Sequence, residues 1–263
     1  MMKKLLGKVA LVTGGTRNVG KGIAIGLAEA GATVYVTGRT IKDKDVQKAN
    51  DAGGKVYAVV CDHLNDADVK DVFKMIIDKE GHLDILVNNA WGGYLRLRNR
   101  SQYRGFKWKE FFWKQPLELY DEMHDVGVRS NYVASVFASN IMTLQKSGLI
   151  VNISFYASKK YYGNVAYGVA KAAVDKMTFD MAEELKSFRV SCVSLYPGYI
   201  DDYKKVPNNK KESSIFVGRS IAAIAGDSNI LEHTGKVLVT AELGKKYGFK
   251  DIDGTFPIPY DAF

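Results

Sequence analysis

Tyr167 and Lys171 stand four residues apart in Tyr167-Gly168-Val169-Ala170-Lys171, and Ser154 lies thirteen residues before the tyrosine, at the end of an apolar, strand-like run. On a helix this spacing puts the phenol and the ammonium on one face, about 6 Å apart along the axis. A free phenol, with a pKa of about 10, is almost fully protonated at neutral pH. A nearby ammonium favours the phenolate and so makes the phenol a better acid. Such a pair can protonate a carbonyl oxygen, and the three residues together read as a carbonyl-reducing site. Tyr103 with Lys107 and Tyr156 with Lys160 repeat the spacing. Tyr103 sits in a basic aromatic stretch without apolar periodicity, and Tyr156 stands just beyond a strand end. Tyr167 alone combines a serine leaving a strand with a long amphipathic helix around it.

The elements that must hold these residues follow a regular alternation. Lys8 to Thr13 reads as a buried strand, followed by a glycine-rich turn and then Val19, Ile23, Leu27 and Ala30 at helical spacing. Gly31 is the expected left-handed stop, and Thr33 to Thr37 is a β-branched second strand. Helical 43–52 leads to strand 55–61, helical 65–80 to strand 83–88, helical 118–145 to strand 148–154, and helical 165–187 to strand 189–196. This predicts an α/β fold, a Rossmann-type doubly wound parallel sheet, in a single domain spanning 1–263.

Length and composition fit that architecture. The chain has 263 residues, 46% of them hydrophobic, which is ample for one large core. Its two cysteines, Cys61 and Cys192, fall in apolar runs. With four histidines they form no metal-ligand spacing, so buried free thiols in a reducing, cytoplasmic setting are expected and no metal site. No signal peptide or membrane span is expected. The net charge of +8 suits an anionic partner but speaks mainly to solubility and steering.

Two segments interrupt the rhythm. Trp91 to Gln115 interleaves Arg96, Arg98, Arg100, Arg104, Lys107 and Lys109 with eight tyrosine, phenylalanine and tryptophan residues. Such a mixture can bind nucleic acid by charge and stacking. Here it follows a parallel-strand end, where open α/β sheets place their ligand crevice, so a substrate-side segment or subunit contact is expected and no nucleic acid. Asp201 to Ser213, with Lys204, Lys205, Lys210 and Lys211 around Pro207, is expected to be a substrate-side loop.

Thr13-Gly14-Gly15-Thr16-Arg17-Asn18-Val19-Gly20 joins the first strand to the first helix, where glycines let a backbone approach phosphates and the helix N-terminus favours their charge. With the serine, tyrosine and lysine this resembles the short-chain dehydrogenase/reductase family, whose turn reads Thr-Gly-x-x-x-Gly-x-Gly. Asn18 replaces the middle glycine, and asparagine tolerates left-handed backbone angles. A carboxylate ending the second strand would bind the 2′-hydroxyl of NAD, whereas arginine accommodates the 2′-phosphate of NADP. This strand ends Val36-Thr37-Gly38-Arg39, so NADP(H) is expected. The resemblance implies that Arg17 also meets that phosphate, that Asp62 meets the adenine edge, and that Asn89 and Ala90 border the cofactor. It gives Asn88 a mainly structural role and turns the Ile200 backbone, after Pro197-Gly198, toward the carboxamide.

By the same resemblance Ser154 polarises or positions the substrate oxygen, Tyr167 transfers the proton, and Lys171 lowers the tyrosine pKa and holds the nicotinamide ribose. It further implies a small carbonyl or alcohol substrate and a homodimer or homotetramer joined through residues 118–145 and 165–187. Three positions depart from the pattern. Asn18 is one, Asp202 stands where a threonine is common, and Gly127 falls where an asparagine belongs. Asn131, one helical turn later, is displaced from that place by about 6 Å. These departures keep a second reading open, a catalytically weak NADP(H)-binding sensor or scaffold of the same fold.

Overall fold

The computed structural model describes residues 4–93, 107–200 and 211–259. Its central strands are aliphatic runs because helices cover both of their faces. β1 (Val9–Val12), β4 (Ile85–Asn88) and β6 (Val190–Tyr196) are buried throughout. With β2 (Thr33–Gly38), β3 (Lys55–Val60), β5 (Gly148–Ile153) and β9 (Val237–Val239) they form one parallel sheet in the order β3-β2-β1-β4-β5-β6-β9. Alternate side chains feed two cores, as the two-residue period of a strand requires. Ala10, Val12, Val34, Val36, Val87 and Val151 pack against Ile23 and Leu27 of α1 (Asn18–Glu29) and Val217 and Ile221 of α7 (Ser214–Ala225). Val9, Leu11, Tyr35, Leu86 and Ile150 pack on the other side. There they meet Val72 and Ile76 of α3 (Asp66–Glu80), Ala134 and Ala138 of α5 (Ser130–Gln145), and Ala182 of α6 (Val165–Leu185).

The strand order reverses between β1 and β4, which opens a crevice at the carboxyl ends of the strands. Thr13, Arg39, Asp62, Asn89, Ser154 and Pro197 all follow strand ends and therefore share that edge. α1 and α7 cross nearby at very close range. A Cβ added to Gly22 would lie 2.1 Å from the Ser214 carbonyl carbon, and one on Gly26 would lie 2.5 Å from that of Gly218. Helix α2 (Asp43–Asp51) and helix α8 (Thr240–Tyr247) complete the layer on that side.

Two expected elements differ from those observed. The helix expected over 118–145 is α4 (Leu117–His124), then a π-helical turn at Asp125–Arg129, then α5. Periodicity alone does not reveal a π turn, which adds a residue without interrupting the helix. Residues 201–210 of the expected substrate-side loop, Asp202 among them, lie outside the described residues, as does 94–106 of the basic aromatic segment. Residues 211–213 are not loop. β8 (Lys211–Glu212) pairs in parallel with β7 (Tyr199–Ile200), and the Ser213 hydroxyl accepts from the Phe216 amide to cap α7. Cys61 and Cys192 are buried free thiols. Among the described residues no helix is long and apolar enough to cross a membrane.

Candidate active site

Tyr167 belongs to the first turn of α6. That helix starts where Asn164 turns its side chain onto the chain ahead, accepting from the Tyr167 amide at 3.0 Å. Side-chain caps of this kind satisfy an otherwise unpaired helical N–H and are worth about 1 kcal/mol. Asn164 also donates to Gln115 Oε1 at 2.9 Å and to the Trp108 carbonyl at 3.3 Å. The cap therefore fastens the described end of the basic aromatic segment to the helix that carries the tyrosine. Trp108 donates to the Tyr162 carbonyl, and its ring lies 5.2 Å from that of Tyr167. Trp91, Phe155 and Tyr162 complete an aromatic wall around the phenol.

Lys171 follows one turn later and is only 7% exposed. Its ammonium donates to the Ile153 carbonyl at 3.0 Å, lies 4.4 Å from the Trp91 ring centroid and 5.8 Å from that of Tyr167. Burial pushes its pKa down to about 8, against the opposing charge of Asp175. Ser154, directly after β5, is held by its amide on the Leu195 carbonyl, and its hydroxyl donates to the Lys171 carbonyl at 3.2 Å. The structure thus brings Ser154, Tyr167 and Lys171 together at the ends of β5 and α6. Of the other two Tyr-x-x-x-Lys matches, Tyr103 lies outside the described residues. Tyr156 is buried in a 3₁₀ turn, edge-on to Tyr196, while Lys160 is exposed.

The glycine-rich turn is wound tightly against the end of β4. Gly14 and Asn18 both adopt left-handed angles, φ +65° and +47°. Asn18 thus supplies the conformation for which glycine is ordinarily used. A Cβ on Gly14 would stand 2.8 Å from Ala90 Cα, and one on Gly20 would stand 2.5 Å from Asn89 Nδ2. Asn89 donates to the Thr13 and Gly14 carbonyls, and the Asn89 and Ala90 amides donate to the Thr13 hydroxyl, so the end of β4 braces the turn. Asn88 lies deeper, donating to Ser135, Asn152 and the Asn131 carbonyl. Thr16 packs on Gly38, Val19 opens α1 behind Asn18, and Arg17 and Arg39 are exposed at this corner. Asp62 closes a turn by accepting from the Leu64 amide. Ile200 borders a cavity of about 270 Å³ with Asn18, Lys21, Ser213 and Ser214, between α1 and β7.

Gly127 sits inside the π turn, and Asn131 does not replace its missing side chain. The Asn131 amide folds back and donates to the Gly127 carbonyl at 2.9 Å, while its Oδ1 is buried with no hydrogen-bond partner among the described residues. Sequence reasoning missed three other polar groups. His63 bonds the Thr37 hydroxyl at 2.7 Å behind the end of β2, and burial pushes its pKa down to about 4. Glu212 accepts from Thr240 at 2.7 Å and from the Gly198 amide, and burial raises its pKa to about 8. Asp175 accepts from the Tyr196 hydroxyl. Single buried polar residues carry no sequence pattern. Only the offset from Lys171 to Asp175, four residues along a helix, offered a signal.

A family model for short chain dehydrogenase matches residues 8–213. The human dehydrogenase/reductase SDR family member 1 is 38% identical over 97% of this chain and 86% of its own length. A 3-oxoacyl-[acyl-carrier-protein] reductase from Synechocystis is 32% identical over 76% of both chains. Among solved structures, a 3-oxoacyl-[acyl-carrier protein] reductase from Brucella melitensis superposes with a TM-score of 0.77 at 26% identity, covering 89% of this chain and 95% of that one.

Proposed function

Because the chain belongs to the short-chain dehydrogenase family, whose members are nicotinamide-dependent oxidoreductases, we propose that it is an NADP(H)-dependent carbonyl reductase with Tyr167 as the proton donor. The observation that carries this reading is the convergence of Ser154, Tyr167 and Lys171 at the crevice edge, beside a turn shaped for phosphates. The cofactor, when bound, supplies hydride for the carbonyl carbon. In this proposal Gly14, Thr16, Arg17, Asn18, Val19 and Gly20 hold its phosphates, and Asp62, Asn89, Ala90 and Ile200 line its path. Tyr167 releases its phenolic proton to the carbonyl oxygen, and Ser154 positions that oxygen once its hydroxyl turns from the Lys171 carbonyl. Lys171, as an ammonium, favours the resulting phenolate. The aromatic wall excludes water and favours an apolar or ring-containing carbonyl substrate.

The preference for NADP(H) is supported by charge. Arg17 and Arg39 are exposed beside the turn, neither is in an ion pair among the described residues, and no carboxylate ends β2. A charge-assisted bond to a 2′-phosphate is worth about 1.5–3 kcal/mol. Arg39→Ala is therefore expected to lower kcat/KM for NADPH by about 10- to 100-fold and that for NADH much less. Equal efficiency of the wild type with both cofactors contradicts the preference. The second reading, a cofactor-binding sensor, draws on Gly127 and the inward fold of Asn131. NADPH oxidation across ketones, aldehydes and quinones separates the two.

A further inference from the structure

We propose that Trp91 is a positioning residue for Lys171: its indole face holds the ammonium beside Tyr167, and Gly127 lacks a side chain because the indole fills that space. The inference rests on reading Tyr167 and Lys171 as the proton-transfer pair. Trp91 directly follows Asn88-Asn89-Ala90, so the end of β4 fixes its backbone. A Cβ built on Gly127 would stand 2.3 Å from Cζ3 and 2.5 Å from Cε3 of the indole. A side chain at 127, asparagine included, and the indole at 91 therefore exclude one another. The same ring lies 4.4 Å from Lys171 Nζ and meets the Tyr167 ring edge to face at 5.5 Å and 87°. One side chain thus touches both members of the pair and occupies the volume vacated at 127.

The ammonium needs that contact. It is buried with three N–H donors, and its hydrogen bond among the described residues goes to the Ile153 carbonyl. Its other neighbours supply limited support. On α6 the titratable groups facing it are Tyr167 and Asp175, and Asp175 is itself engaged by the Tyr196 hydroxyl from β6, which also pairs with Ser158. From the end of β5 come neutral groups, the Ile153 carbonyl and Ser154. From the π turn comes Gly127, with no side chain. A π face at this distance from a desolvated cation favours its charged form. It opposes the burial that already brings Lys171 to about 8. Without it the lysine loses its proton nearer neutral pH, and Tyr167 loses the charge that acidifies it.

The test is the protonation midpoint of Lys171 in the cofactor-free protein, followed by carbon-13 NMR of its Cε and assigned by the Lys171→Met variant. Trp91→Leu is expected to lower the midpoint by about half a unit or more, roughly a threefold weaker proton affinity. Trp91→Phe, which keeps a π face, is expected to fall between Leu and the wild type. Gly127→Ala keeps Trp91 but pushes its ring aside, and is expected to lower the midpoint as well. Should Trp91→Leu fail to fold, the other two variants decide. The alkaline limb of turnover is expected to move down in step, which lost packing alone does not produce. An unchanged midpoint in the variants overturns the proposal, whatever the activity. A wild type without carbonyl turnover overturns the reductase reading instead, because the midpoint is read without turnover.

Discussion

Each side chain at the crevice edge is set by a neighbour that sequence motifs do not mention. Tyr167 is placed by the Asn164 cap and an aromatic wall, and Lys171 by Ile153, Asp175 and Trp91. Glu212 shows how far such burial shifts chemistry. Its carboxyl is held in the neutral form from its ordinary 4.5 up to about 8, so the stability it contributes is full below pH 4.5 and is lost as pH rises through 8. Glu212→Gln keeps the size and an acceptor for Thr240 but cannot ionise. Relative to the wild type it is expected to gain stability between pH 4.5 and 8, on the order of 4 kcal/mol at the alkaline end. Denaturant titrations of both proteins across that range check this, and parallel pH profiles would rule it out. The motif residues were legible in the sequence because chemistry ties them to fixed spacings. Glu212, His63 and Trp91 were not, because their significance comes from burial and contacts between distant segments.

At the scale of elements, strand-helix alternation was legible because fully buried parallel strands read as aliphatic runs and their helices as apolar stripes. The π turn was hidden within an unbroken helical pattern, yet it places Gly127 against Trp91 and turns Asn131 back on itself. The crossing of α1 and α7 was hidden too, since the glycines of α1 and Gly218 of α7 look like ordinary weak points. In the fold these glycines let two backbones touch, and α7 in turn borders the cavity beside Ile200. Gly218→Ala would put a Cβ 2.5 Å from the Gly22 carbonyl oxygen. Overpacking of this kind costs about 1–3 kcal/mol. Chemical denaturation is expected to show that loss, together with weaker NADPH binding as α7 is pushed away. A neutral substitution would mean the helices part freely.

For the whole molecule, the sheet gathers six strand ends into one crevice and leaves the outer faces of α5 and α6 partly apolar. Tyr132 and Val136 on α5 and Val165, Val169 and Phe179 on α6 are exposed, and Phe179 is 52% accessible. We propose that two copies associate through these faces. Light scattering is expected to give a dimer or tetramer mass, reduced by Phe179→Asp, and a wild-type mass of one subunit contradicts it. In the crevice itself, Tyr167 is proposed to give its proton to a carbonyl. The direct measurement is NADPH oxidation with a carbonyl panel by the wild type and by Tyr167→Phe, with cofactor binding followed by fluorescence. The expected result is a loss of turnover of about 10²–10⁴-fold in the variant with NADPH binding retained. Undiminished turnover in Tyr167→Phe would contradict Tyr167 as the proton donor.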